Sequence, residues 1–342
     1  MDSAIRPFKL RFFICDAVAR QYLKRIQNPN STSGCEKCLV QGVRYRNRMI
    51  FLDFDAPLRS DRDFRLRRDE DHHIGEAETP LEFLGINMVS QFKLDPMHLV
   101  DIGVFKRWLK FLLGKLKGIP ALLSNAEQAE VSRRIKVLST NMPKEISRHP
   151  RPFEYFAKYK ATEFRRMVRY DGLIIFKNLH HDVYFNFLLL FCGIYILSDL
   201  SLIERHGDLA DQFLRQFVAH SAQLFGPHFV VYNVHNWIHL YNESVDAGSL
   251  HNFSAYKYEN YYGVMKRYLL STHKPLADNE RNGRLIQNSR SKSVLDSEVS
   301  PPGVHNDWEE EGAQYTTLRT SRFILSRRLA DSCLSWGYCH TS

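Results

Sequence analysis

Phe8-Lys9-Leu10-Arg11-Phe12-Phe13-Ile14-Cys15-Asp16 is the stretch from which the fold is read. Apolar side chains fill Leu10 to Cys15 with one interruption, Arg11, and Pro7 and Asp16 bound the run. Such a run predicts a buried strand. Ala17 to Ile26 follows with helical spacing, Val18, Tyr22 and Ile26 making one apolar stripe. A strand buried on both faces needs neighbours on either side. The one good partner downstream is Arg46 to Phe54. The remaining strands are therefore expected upstream, and the chain is expected to be the C-terminal portion of a longer protein.

Past this stretch the chain is mainly a long helical block. Arg59 to Glu82 is polar and charged and reads as a loop or linker. Helical patterns then cover Leu99 to Leu116, Asn125 to Ser139, Phe153 to Tyr170, Val183 to Leu200, Leu209 to Leu224, Val230 to Val245 and Tyr256 to Leu270. Asp278 to Gly312, with Pro301-Pro302 and Glu309-Glu310-Glu311, has the composition of a disordered linker, and Tyr315 to Leu325 suggests one further strand. The expected class is α+β, mostly helical: a small α/β remnant followed by helices.

Composition narrows the function. A chain of 342 residues with 44% hydrophobic and 13% aromatic side chains can bury a sizeable core. Its formal charge of +9 favours a polyanionic partner. Six cysteines are too few for a disulfide scaffold in a chain this long. No apolar signal core precedes Lys9, and the longest apolar run, Phe185 to Leu197, is too short to span a bilayer and is broken by Asn186 and Gly193. A nuclear or cytoplasmic protein that meets no membrane is expected.

Four features carry chemistry. Asp16, at a strand's C-terminal end, either holds a divalent ion in the crevice where α/β sheets bind ligands or caps the helix that follows. Cys35-x-x-Cys38 has the spacing of half a zinc site, with His72, His73 and His98 as candidates to complete it; the alternative is two unliganded thiols in a turn. Asp95-Pro96-Met97-His98 places a carboxylate and an imidazole at a helix start, as an N-cap or as a metal or DNA contact. Glu259 flanks the stripe Tyr258, Tyr261, Tyr262, Met265 and Leu269, reaching into a cleft or pairing on the surface with Lys266, and Gly263 one turn on would admit a neighbouring backbone. Basic patches add phosphate-binding candidates. Lys106, Arg107, Lys110, Lys115 and Lys117 interleave with Trp108 and Phe111, and Arg165, Arg166 and Arg169 share another helix.

Five stretches, ICDAVARQYL, SGCEKC, FKLDPMHLVDIGV, YKATEFRRMV and YNVHNWIHLYNESVDAGSLHNFSAYKYENYYGVMKRYL, occur in the order found in CACTA (En/Spm-type) DNA transposases, over roughly residues 8 to 285. The chain resembles that family. The resemblance implies an RNase H-like core with a large helical insertion and an Asp-Asp-Glu triad around two metal ions, magnesium or manganese. Asp16 then matches the second Asp and Glu259 the final Glu. Residues 1–56 would be a partial core, 57–254 the mainly helical insertion, 255–277 the closing helix with Glu259, 278–313 a linker and 314–342 a tail. Cys35, Cys38, Asp95 and His98 match accessory motifs expected to fasten insertion to core, with zinc as the candidate ion. Lys106, Arg107, Lys110, Arg165, Arg166, Lys266 and Arg267 are the expected DNA contacts, and a homo-oligomer is one assembly left open. With only fifteen residues ahead of Asp16, and no strand earlier than Leu10 to Cys15 to supply the first Asp, the chain itself is expected to be a catalytically inactive, DNA-binding nuclear relic. Two further readings stay open: an active strand transferase completed upstream or by a partner chain, and a zinc-stabilised helical interaction protein with no nucleic-acid role.

Overall fold

A computed structural model describes residues 10–142 and 149–266 and the short strands 317–319, 323–327 and 334–338. Residues 10–255 form one compact unit, and the residues from Tyr256 onward fall in a second. The described residues are mostly helical with small sheets, as the composition of the helical patterns predicts.

In the first unit, β1 (Phe13–Cys15) leads through Asp16 into α1 (Ala17–Lys24). The hairpin β2 (Val43–Tyr45) and β3 (Arg48–Ile50) follows. Next come the short helices α2 (Asp61–Arg65) and α3 (Pro80–Phe83), then β4 (Phe92–Leu94). β4 lies parallel to β1, with Cys15 opposite Leu94, so Asp16 and Asp95 follow at the same ends of two neighbouring strands. β1 is thus shorter than expected, half-buried, and paired with Phe92–Leu94. Arg46 to Phe54 does not reach it: Arg46 and Asn47, both at positive φ, turn the chain so tightly that Arg48–Ile50 pairs with the strand just before it.

Two of the three stripe residues of α1 face the other way, while Ile26, just past the helix end, is buried. Val18 and Tyr22 are 69% and 82% exposed, while Arg20 and Lys24 are buried. Arg20 and Lys24 turn inward as the counter-charges of a buried carboxylate, Glu36. The stretch from Arg59 to Glu82 is likewise no linker. Phe64 and His72 are buried, Ser60 caps α2, and the Thr79–Glu82 capping box starts α3.

Beyond β4 the chain winds through a π-helical segment, Met97–Phe105, into α4 (Lys106–Leu112). Then come α5 (Asn125–Thr140), α6 (Ala161–Arg166), α7 (Gly172–Ile175), α8 (His181–Leu197), α9 (Leu200–Phe225), α10 (Tyr232–Asn236) and α11 (Leu240–Ala247). Trp108, Phe105, Phe164, Phe176 and Phe187 fill the centre of this block. Asn186, which interrupts the apolar run of α8, is the polar pin of that core. Its Oδ1 accepts from Trp108 Nε1 at 2.9 Å and its Nδ2 donates to Ser221 at 3.0 Å. Gly172 lies where a Cβ would come 2.2 Å from the Phe187 ring, so α7 can meet α8 only without a side chain there.

The second unit holds α12 (Tyr256–Lys266), which carries Glu259, and the antiparallel strands β5 (Thr317–Arg319), β6 (Phe323–Arg327) and β7 (Leu334–Tyr338) in the order β5-β6-β7. None of α12's residues is buried, so Tyr258, Tyr261, Tyr262 and Met265 do not form a buried stripe. Leu269, Arg267 and the expected linker lie outside the described residues.

Candidate metal centre

The loop Gly34-Cys35-Glu36-Lys37-Cys38 is buried and turns tightly under residues 28–29. A Cβ on Gly34 would stand 2.8 Å from the Pro29 carbonyl oxygen, so only glycine fits. This turn brings both cysteine sulfurs to one side, 3.5 Å apart. Across from them, α10 and the following 3₁₀ turn present His235 and His239, one helical turn apart. Cys38 Sγ lies 3.2 Å from His235 Nε2, and Cys35 Sγ lies 3.6 Å from His239 Nε2. All four ligand atoms fall within 4.8 Å of one another, and all four residues are buried.

The separations of 3.2, 3.5 and 3.6 Å lie close to those a zinc ion imposes. Sulfur at about 2.3 Å and nitrogen at about 2.0–2.1 Å around a tetrahedral ion stand about 3.3–3.8 Å from each other. The donor set, two thiolates and two imidazoles, is that of a closed structural site with no position left for a reacting ligand. The electrostatics agree. Burial pushes the Cys35 thiol up, but the Cys38 thiol that donates to it and the His239 and His235 imidazoles beside it outweigh that and hold it well below its ordinary value. Cys38 is held far above its ordinary value, because its proton is shared with the Cys35 sulfur and because it is buried. A divalent cation would take both sulfurs as thiolates. His235 Nδ1 has no partner among the described residues.

The two residues between the cysteines bolt the site to its surroundings. Glu36 accepts from Arg20 Nε at 2.7 Å, Lys24 Nζ at 3.0 Å and the Tyr232 hydroxyl at 2.6 Å. Burial would raise its carboxyl, but Arg20, Lys24 and Lys37 together hold it far below the carboxylate range. Lys37 pairs with Glu243 on α11 at 2.6 Å and donates to the carbonyls of Val89 and Phe92. Lys93 of β4 pairs with Asp246. The loop thus joins α1, β4, α10 and α11 through charge as well as through the four metal-ligand side chains.

The other residues singled out in the sequence lie elsewhere. Asp16 caps α1, accepting from Ala19 N at 2.7 Å. Asp95 is buried and saturated. It accepts from the backbone N–H groups of Ala255 at 2.6 Å, Met97 at 3.0 Å and His98 at 3.1 Å, and the His98 ring pairs with it as well. Asp95 and His98 therefore clamp the start of the π-helical segment, and the structure brings His235 and His239, not these two, to the cysteines. His72 donates to or accepts from nothing near the sulfurs: its Nδ1 bonds the Ser33 carbonyl at 2.7 Å. His73 packs edge-on against Phe64. Burial, with Arg59 and Arg67 nearby, lowers His72 to about 3 and His73 to about 4. Glu259 is exposed on α12. Arg166 pairs with Asp171 and Arg169 with Asp101, whereas Arg165 meets the His251 ring. Arg107 is held by the carbonyls of Phe229 and His228 at 2.8 and 2.6 Å.

Local reading missed His235 and His239. Their signal was present, two histidines four apart inside YNVHNWIHLYN, but 197 residues separate Cys38 from His235. No family model matches the chain, and no curated protein or solved structure matches it.

Proposed function

We propose that the chain is a zinc-fastened, transposase-derived protein that binds DNA. The observation that carries this reading is the Cys35, Cys38, His235 and His239 cluster, because it unites stretches that suggested the family separately. Arg20 and Lys24 come from ICDAVARQYL, Glu36 and the cysteines from SGCEKC, Lys93 from FKLDPMHLVDIGV, and Tyr232, the histidines and Glu243 from YNVHNWIHLYNE. A resemblance resting on scattered pieces gains weight when four of them meet in one network. The parallel pairing of β1 and β4, with a helix following β1, supports an RNase H-like core around Asp16. Zinc here has a structural task, since the donor set leaves no open position. The nucleus is the compartment that such a protein would use.

Among the described residues, the Cys/His/Asp/Glu group close enough to share one ion is the zinc set. Magnesium or manganese at Asp16 and Glu259, and the strand transfer they would serve, belong to the reading only as its catalytic extension. Binding of duplex DNA with a steep loss of affinity as salt rises supports the proposal. Nicking that needs magnesium or manganese and disappears in Glu259→Gln would add catalysis. The second reading, a zinc-stabilised interaction protein, draws on Arg166 and Arg169, whose charges are spent on internal ion pairs. It gains if no salt-dependent DNA binding is found.

A further inference from the structure

Several buried and half-buried cations among the described residues have carboxylate partners: Arg20 and Lys24 meet Glu36, Lys37 meets Glu243, Arg59 meets Asp69 and Arg169 meets Asp101. One surface departs from that pattern. Arg44 and Arg48 on the β2–β3 hairpin line a groove of about 440 Å³ with Asn30, Asn47, Met49, Arg107 and Val231. Arg46 occupies the hairpin tip, and Lys106 and Lys110 lie on α4 beside Arg107. Among the described residues none of these six cations forms an ion pair with a carboxylate.

Their crowding is felt by each other. Burial, and then Arg48, lower Arg107 to about 10. Lys110 is lowered by burial and by Lys106, Arg107 and Arg48. His228 is lowered by burial and then by Arg46, Arg48 and Arg107. Like charges packed this closely destabilise the isolated fold, and a bound polyanion would relieve them. The groove is also built rather than incidental. Arg107 is fixed by two backbone carbonyls and lies over the Phe111 and Phe229 rings at 5.2 and 5.6 Å. Tyr45 stacks on His228, holding the hairpin against the turn after α9. At the tip, Arg46 takes a positive φ of 44°, a conformation costing a non-glycine residue on the order of 1 kcal/mol. Glycine would sit there more easily, and arginine adds a charge instead.

We propose that this groove binds the sugar-phosphate backbone of duplex DNA, with Arg44, Arg46, Arg48 and Arg107 as phosphate contacts. The proposal rests on the DNA-binding reading above and names the surface that performs it. Several cations spread over a hairpin and a helix exceed what a single phosphate can neutralise, whereas a run of phosphates matches them. The contacts are to backbone, so binding is expected to vary little with sequence.

The test is fluorescence anisotropy of the full chain with a labelled duplex over a range of salt concentrations. Replacing Arg44 and Arg48 together with Gln should reduce the slope of log affinity against log salt by about 2 and weaken binding evenly across sequences. Arg46→Gln, at the exposed tip, should reduce the slope by about 1. Arg133→Gln, on α5 and paired with Glu130, should leave the slope unchanged. An unchanged melting temperature and zinc content would show that the hairpin variants fold. Salt-dependent DNA binding that survives the hairpin substitutions intact overturns the groove and leaves the DNA-binding reading standing. Absence of salt-dependent binding by the unaltered chain overturns both. Displacement of the DNA by poly-glutamate at equal charge concentration overturns the assignment in favour of an acidic protein partner.

Discussion

Glu36 holds two buried cations, Arg20 and Lys24 of α1, and the buried hydroxyl of Tyr232, 196 residues away. Ion pairs this deep gain little over an apolar core when intact, yet removing one partner strands the other charge. Glu36→Ala leaves one guanidinium and one ammonium group without their counter-charge, and should cost about 3–5 kcal/mol in denaturant unfolding. Burial has already lowered Lys24 to about 8 despite Glu36, so loss of the carboxylate would favour its neutral form. His72 makes a separate prediction. The folded protein refuses a proton there until about pH 3, whereas the unfolded chain accepts one near 6.5. The unfolded state therefore holds more protons in that window, and stability falls as pH drops below about 6.5, by up to about 1.4 kcal/mol per pH unit. His72→Asn retains a donor for the Ser33 carbonyl and removes this titration. Its unfolding midpoint should change less than that of the parent between pH 7 and 5, before carboxylates titrate; equal pH dependence would contradict the assignment.

The helix α1 shows what a periodicity can and cannot tell. Its extent was legible, from the Asp16 cap to the turn at Arg25, but the buried face was not. Val18 and Tyr22 form an apolar pair that points to solvent, because the buried Glu36 carboxylate requires the counter-charges of Arg20 and Lys24 on the opposite face. Such a choice depends on Glu36, which no helical wheel contains. Val18→Lys and Tyr22→Lys should each shift stability by no more than about 0.5 kcal/mol, as exposed positions do. The helices of the large block were legible from spacing alone, since each buries its own apolar face against the others. Their breaks were less so: the patterned stretch Phe153 to Tyr170 is a 3₁₀ segment, α6 and a π turn. Gly172, between that turn and α8, tests the packing directly. Gly172→Ala forces a methyl into the Phe187 ring and should destabilise by about 1–3 kcal/mol in chemical denaturation.

For the molecule as a whole, the candidate metal centre joins the first forty residues of the described chain to its last helices in the first unit. Half of that site could be read from Cys35-x-x-Cys38, because two ligands close in sequence must also be close in space. The other half could not, since a histidine pair 197 residues on shows its role only when the chain has folded. His98 stood nearer in sequence, and Asp95 had already claimed it. The basic hairpin escaped notice for the same reason: Arg44 and Arg48 become a patch only when the fold sets Arg107 beside them. Zinc binding to the folded state alone is folding free energy, so a chelator should lower the melting temperature of the first unit. The most direct test is zinc stoichiometry, measured on the purified full chain and on single variants. One zinc per chain, lost in Cys38→Ser, His235→Ala and His239→Ala and kept in His98→Ala, is the predicted result. Zinc that persists without His235 and His239 but leaves with His98, or a folded chain that binds none, would contradict the account.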